Sequence, residues 1–479
     1  MQTRFFNAAQ VRPSLPFILL AVLLTALCLA GGASVPDVSG QAIVRFVAAA
    51  VIVVAILFCA PPSLPVGRAP FWLLLASAGL AAAQLMPLPP ALWQALPGRA
   101  FITQLGGIAA QEDIWRPWSI SPSLTLNALM SLLVPAATLL LLMLLPDRER
   151  LRLPGLVLIF IVAATLIGLL QYSGQQIRSP FINRSLDVSG PFANRNHFAL
   201  LMACGCLVAP VWAALDHKGS VWRSAAAVGL VVLFLLAALG SGSRAGFAFS
   251  LLALPIAVLL LQGRVRGRSS RMPRWAFIAA IAAAGALIAA FVTLAILAER
   301  SASITRAMAL DAEADLRFRA LPAVLDLVRG YFPFGSGLGT FDPVFRINEP
   351  FDLLKRTYFN RAHNDFLEIV INSGIFGALL IAAALAWWLV ASVRVWRSGQ
   401  GADLLVARLG AALLLILILA SLIDYAARTP IMMGVIMIAA VWLDLGVLRR
   451  AQTGKGHQGR SAGDKALDAR SGPMERRRA

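Results

Sequence analysis

Apolar runs close to twenty residues long recur twelve times in this 479-residue chain, and they constrain its fold more than any other feature. They lie at roughly 14–33, 42–60, 70–88, 124–145, 153–172, 196–215, 221–240, 245–262, 275–297, 366–392, 404–424 and 430–448. A run of that length matches the hydrocarbon core of a bilayer. Inside the core every backbone N–H and C=O must be satisfied within the segment, which leaves the α-helix as the solution for an isolated run. Composition agrees: 14% of residues are charged, against about 25% in an ordinary soluble domain. The expected fold class is therefore all-α, a polytopic integral membrane protein of about 12 transmembrane helices.

The formal net charge of +19 invites a nucleic-acid partner, but its distribution argues against one. The basic residues sit in short clusters between apolar runs, where they set topology. With the N-terminus inside, the inner connections carry thirteen Lys/Arg, the tail from Arg449 nine more, and the short outer connections eight. Both termini come out cytoplasmic. The first apolar run, preceded by Arg4 and Arg12, reads as a first transmembrane helix, being longer than a signal-peptide core. Residues 1–450 form the membrane domain, and 451–479 a Gly-, Arg- and Lys-rich tail with too little apolar surface to fold. All four cysteines lie in apolar runs and read as packing residues.

One long polar insert interrupts this pattern. Residues 298–362, between the ninth and tenth helices, carry nine Lys/Arg and eight Asp/Glu and come out on the outer side. Within the insert, 311–329 has helical periodicity. The run Phe334-Gly335-Ser336-Gly337-Leu338-Gly339 reads as a tight turn that lets backbone approach a helix or ligand closely. A second outer connection, 89–122, carries Leu92, Trp93, Trp115 and Trp118 and suits a segment lying on the membrane surface.

Polar residues gather at the outer helix ends. His363 precedes the tenth helix, with Asn364 or Asp365 at the cap position and Glu368 one and a half turns on; neutral imidazole there can take a proton from a hydroxyl. His197, in Asn194-Arg195-Asn196-His197, is the second candidate on that side. Arg244, in Ser241-Gly242-Ser243-Arg244, is either a snorkelling side chain or an anion ligand, the guanidinium fork being well suited to phosphate. Asp424 is either a functional carboxylate at a membrane boundary or the ion-pair partner of Arg428. No metal-binding pattern and no nucleophile elbow is present.

These pieces in order, G-P-F-A-N-R-N-H-F-A at 190–199, S-G-S-R-A-G at 241–246, R-F-R-A-L-P at 317–322, F-G-S-G-L-G-T-F at 334–341 and A-H-N-D-F-L-E-I-V-I-N-S-G-I-F-G at 362–377, resemble the O-antigen ligase and Wzy-type polymerase superfamily of bacterial envelope glycosyltransferases. The resemblance implies an inner-membrane enzyme that moves glycan from an undecaprenyl-diphosphate carrier to a hydroxyl of a glycan or lipid A-core acceptor. It implies no metal and no other cofactor. His363 would take the place of the general base, with Glu368 or Asp365 beside it. Arg244 and Arg317 would hold the diphosphate, and Arg195, Arg361, Asn196, His197, Asp424 and Arg428 complete the substrate-binding candidates. The superfamily divides into ligases and polymerases, and the motifs do not separate them. The rival expectation is a polytopic transporter, which would place polar groups near the bilayer midplane.

Overall fold

The computed structural model describes residues 12–61, 67–174, 179–182, 187–216, 220–268, 312–354 and 359–447. The expected ninth helix, the tail and the N-terminal arginine Arg4 lie outside the described residues. The other eleven expected membrane helices are present. They are α1 (Leu15–Ala30), α2 (Ser39–Phe58), α3 (Arg68–Gln84), the contiguous pair α6 (Pro122–Ser131) and α7 (Leu133–Leu144), α9 (Leu153–Tyr172) and α10 (Arg195–Ala214). They continue with α11 (Val221–Gly240), α12 (Arg244–Arg268), α15 (Asp365–Trp396), α16 (Ala402–Ser421) and α17 (Pro430–Val447). The short helices are α4 (Pro90–Gln94), α5 (Ala100–Ile108) and α8 (Asp147–Arg150); the insert adds α13 (Ala312–Tyr331) and α14 (Phe341–Asn348).

Among the described residues nine helices are long and apolar enough to cross a bilayer; α1 and α3, at 16 and 17 residues, fall just short. The helices of the rim turn apolar side chains outward: Phe46, Ile56, Leu57 and Phe58 of α2 are each about 70% exposed. Such surface is tolerated where the surroundings are lipid. The centre is α10, of whose span 83% is buried. Small residues let its neighbours close in. A Cβ on Gly205 would stand 2.7 Å from Phe234 of α11, and one on Gly246 of α12 2.2 Å from Ala199. The only strands among the described residues, Pro87–Leu88 and Arg116–Pro117, pair antiparallel and pin the base of the 85–121 connection.

Successive connections meet at opposite ends of the bundle. At one end the α1–α2 loop touches the loop before α10 and the start of α17, through Ala193 N–H to Gly32 C=O and Ile431 N–H to Gly31 C=O. At the other end Arg68 N–H donates to Asp444 and Ser14 to Glu149. The insert belongs to the first end. Its own small core, around Val324, Leu327, Tyr331, Phe341, Phe345 and Phe359, is separate from that of the bundle.

The glycine-rich turn reaches down into the bundle. α15 breaks at Gly374, whose φ of 55° and ψ of −137° interrupt the helical ladder. There Ile375 N–H turns to Pro333 C=O, while Ile371 and Asn372 C=O accept from Ser336 and Gly337 N–H. The turn thus satisfies the backbone groups that the break exposes. Side chains would prevent this: a Cβ on Gly335 would sit 2.6 Å from the Asn372 backbone, and one on Gly374 1.9 Å from Pro333 oxygen. Buried Gln84 of α3 closes the joint, donating to Asn372 C=O and accepting from Leu338 N–H.

The 85–121 connection departs from the expected surface-lying segment. Leu92 and Trp115 are exposed, but Trp93 is buried within the connection, donating to Pro117 C=O, and Arg99 is buried against the insert. The Arg99 guanidinium lies over the Trp93 ring and near that of Tyr331, and donates to Trp118 and Gly335 C=O. Burial pushes its pKa down to about 10.

Candidate active site

The site is assembled from four segments at the insert end of the bundle. Asn194 caps α10 by accepting from Asn196 N–H, which starts the helix so that Asn196 and His197 stand in its first turn. Asn364 caps α15 in the same way through Leu367 N–H, leaving His363 just outside the helix. His363 takes a φ of 49°, an unusual conformation for a residue with a side chain. A strained backbone of this kind persists only where its surroundings over-determine it.

Those surroundings are a buried charge network. Glu368, fully buried, accepts from Arg361 Nη1 at 3.1 Å and from Ala362 N–H at 3.1 Å, and lies 3.0 Å from Arg428 Nη1. Asp365 accepts from Arg428 Nε at 2.7 Å. Arg361 Nη2 donates to Ser34 C=O of the α1–α2 loop. Two guanidinium groups and two carboxylates thus clamp the residues on both sides of His363. Burial works against the charge of Arg428, but Glu368 and then Asp365 outweigh it and hold its pKa above the ordinary arginine value. Asp365 and Glu368 therefore face Arg361 and Arg428, not the imidazole, and those two arginines point into the protein.

The carboxylate beside His363 is Asp424. Its Oδ1 lies 3.3 Å from His363 Nδ1 and 3.9 Å from His197 Nε2, and accepts from Tyr425 N–H at 2.9 Å; its Oδ2 accepts from Asn196 Nδ2 at 2.9 Å. Asp424 is not paired with Arg428, because the turn Ala426–Arg428 carries Arg428 to the opposite side, toward α15. Tyr425 stands edge-on to both imidazoles at 5.0 Å, and Phe359 packs on His363 at 5.1 Å. The two histidines differ in access: His197 is 1% exposed as a residue, whereas the His363 side chain keeps 15%.

Arg195 and Arg244 open α10 and α12, and the contact of Gly246 with Ala199 sets those two helix starts side by side. Ser243 caps α12 by accepting from Gly246 N–H. Arg244 is exposed and Arg195 half-buried. Adjacent helix N-termini attract anions, and arginines there add to that field. The side chain of Arg317 lies outside the described residues. Among the described residues no three His, Cys, Asp or Glu side chains are arranged to hold a metal ion.

The family model described as O-antigen ligase, Wzy_C, matches residues 229–382. Over that stretch the chain is similar to the O-antigen ligase and Wzy-type superfamily, and the match supports the resemblance carried by the motifs. The matched stretch runs from α11 through the break in α15, so it includes Arg244, the insert, the glycine-rich turn and His363. The match supports a membrane glycosyltransferase role of the O-antigen ligase or polymerase type. No curated protein matches the chain. Asn196, His197 and Asp424 lie outside the matched stretch yet meet His363 in space. Sequence reasoning passed over Tyr425 and Gln84. Tyr425 could have been found as the neighbour of Asp424; Gln84 carried no signal beyond being an uncharged polar residue at the end of an apolar run.

Proposed function

We propose that the protein transfers a glycan from an undecaprenyl-diphosphate carrier to an acceptor sugar hydroxyl at the outer face of the bacterial inner membrane, with both termini cytoplasmic. The observation that carries this reading is the His363–Asp424 pair at 3.3 Å on the more accessible of the two histidines. With Nδ1–H donating to Asp424, the other ring nitrogen, Nε2, is left as the proton acceptor. Nε2 takes the proton of the acceptor hydroxyl as its oxygen bonds to the anomeric carbon of the donor. The bond from that carbon to the diphosphate oxygen breaks, and the polyprenyl diphosphate leaves with the electron pair. Arg244 and Arg195, with Arg317, stabilise the growing negative charge, so the reaction requires no metal. Asn196 holds Asp424 in place, and His197 shares its charge. Arg361 and Arg428, with Glu368 and Asp365, fix the backbone that aims His363. Among the described residues the buried ionic groups lie near the ends of the bundle and not half-way along it, which favours an enzyme over a carrier.

Loss of a general base costs about 10²–10⁴-fold in rate. In liposomes containing undecaprenyl-diphosphate glycan, a candidate acceptor and EDTA, His363→Ala is expected to insert normally and form almost no product. Undiminished product would remove His363 as the base. Transfer to lipid A core identifies a ligase, and growth of the glycan chain a polymerase.

A further inference from the structure

The histidine site leaves a second concavity unused. A groove of about 630 Å³ runs between the start of α5 and the insert. Gly98, Phe101 and Ile102 form one wall, and Ala323, Asp326 and Gly330 of α13 the other, with Asn348 and Asp352 closing the end. We propose that this groove holds the sugar units of a glycan substrate that are remote from its reacting end. The proposal rests on the glycosyl-transfer reading and adds to it a place where the length or composition of the glycan is sensed.

Three features support a sugar ligand. The volume falls in the usual range of ligand clefts, about 300–1,000 Å³. The lining alternates apolar surface (Phe101, Leu327, Ile347) with short polar groups (Asp326, Asn348, Asp352). A pyranose needs both, since it presents C–H faces and a rim of hydroxyls. The charges are also already matched: Arg319 lies 3.2 Å from Asp352, and Arg329 lies 2.8 Å from Asp326. A near-neutral lining suits a hydroxyl-rich ligand better than a phosphate or a basic peptide.

The groove is also preorganised and well placed. Arg99 and Tyr331 lock the α5 side to the insert from behind, so little ordering cost remains on binding. Leu327, Tyr331 and Leu353 line the groove and belong to the same small core as Phe359, the ring packed on His363. Groove and histidine therefore flank one core, and a glycan held at its reacting end by His363 can extend over the insert toward the groove.

Gly330 provides the test. A Cβ there meets nothing within 4 Å, so a large side chain enters the groove without displacing backbone. Full-length protein in detergent is presented to an array of bacterial envelope oligosaccharides of one to several repeat units. Wild type and His363→Ala are expected to retain the same glycans. Gly330→Trp, with an unchanged elution profile, is expected to lose retention at least tenfold. Should the tryptophan variant aggregate, Phe101→Ala on the facing wall carries the same test through weakened retention. Equal retention by wild type and the groove variants overturns the proposal, as does failure of wild type to retain any glycan. Failure of the transfer reading shows differently, as undiminished transfer by His363→Ala, and leaves glycan retention as it was.

Discussion

Two buried aspartates flank the last helix, one near each end, and their surroundings differ completely. Asp444, near the C-terminal end of α17, accepts from Arg68 N–H and so caps α3. Asp424, just before the N-terminal end, meets two histidines, an asparagine and a tyrosine edge. The exposures are alike, 7% and 6%. Burial by itself therefore does not distinguish a structural carboxylate from a functional one; the partners do. Backbone N–H groups give Asp444 one fixed task, whereas the imidazoles facing Asp424 can gain or lose a proton.

Asparagine at each position tests the contrast most strongly. Asp424→Asn keeps the shape but removes the negative charge that favours a proton on His363 Nδ1 and a positive charge on the ring once it has accepted a second. Transfer is expected to fall at least about 10²-fold, toward the range for loss of the base itself, with little change in melting temperature. Asp444→Asn retains an oxygen acceptor for Arg68 N–H and is expected to leave the rate per folded molecule unchanged. Its cost is about 0.5–1.5 kcal/mol, the scale of one hydrogen bond, measured as a small drop in melting temperature. Equal losses of rate in the two variants would abolish the distinction.

The next largest effect concerns Arg428. Substitution by Met removes the cation between Asp365 and Glu368 and strands the buried Asp365, which in the native protein accepts from Arg428 Nε at 2.7 Å. Breaking a buried pair from one side costs about 3–5 kcal/mol. Arg428→Met is therefore expected to lower the yield of folded protein and the denaturation midpoint sharply. Adding Asp365→Asn removes the uncompensated charge and is expected to restore much of the loss. Absence of that rescue would show that the guanidinium acts on substrate instead of on the carboxylates.

The legibility of this chain followed the same division. The helices were readable because bilayer thickness imposes a length and a hydropathy that no soluble segment shares. The glycine-rich turn was readable as a close backbone approach, since three glycines within five residues have few other uses; its target, the break at Gly374, was not, because a glycine in an apolar run gives no sign of a ψ of −137°. His363, Asp424 and Asn196 stood out as polar residues at helix ends. Their pairing did not. Glu368 and Asp365 are nearest to His363 in sequence, yet the first turn of α15 carries both toward Arg428, and the partner of His363 lies 61 residues away. Arg99 counts in the sequence only as one of the eight bases of the outer connections, because a cation held by two aromatic rings and two carbonyls leaves no pattern along the chain.

The weakest effect is expected at the other end of the bundle, where Arg408 is the counterpart of Arg428. It donates to Ser398 and Gly399 C=O at 2.8 Å each and lies 3.4 Å from Val395 C=O, thereby capping the C-terminus of α15. Gly399 lies at an exposed turn, where water can replace a lost donor, and the partners are neutral carbonyls, so no buried charge is stranded when the side chain is removed. The hydrogen bonds contribute on the order of 1 kcal/mol net, and the cation at a helix C-terminus about 0.3–1 kcal/mol more. Arg408→Ala is thus expected to lower the melting temperature slightly and to leave transfer unchanged. Arg408→Lys keeps the charge but cannot reach three carbonyls with one ammonium group, and is expected to fall between alanine and wild type. A loss from Arg408→Ala as large as that from Arg428→Met would mean that both ends of the bundle are held by charge alike, and that the network around His363 is not a special feature of the site.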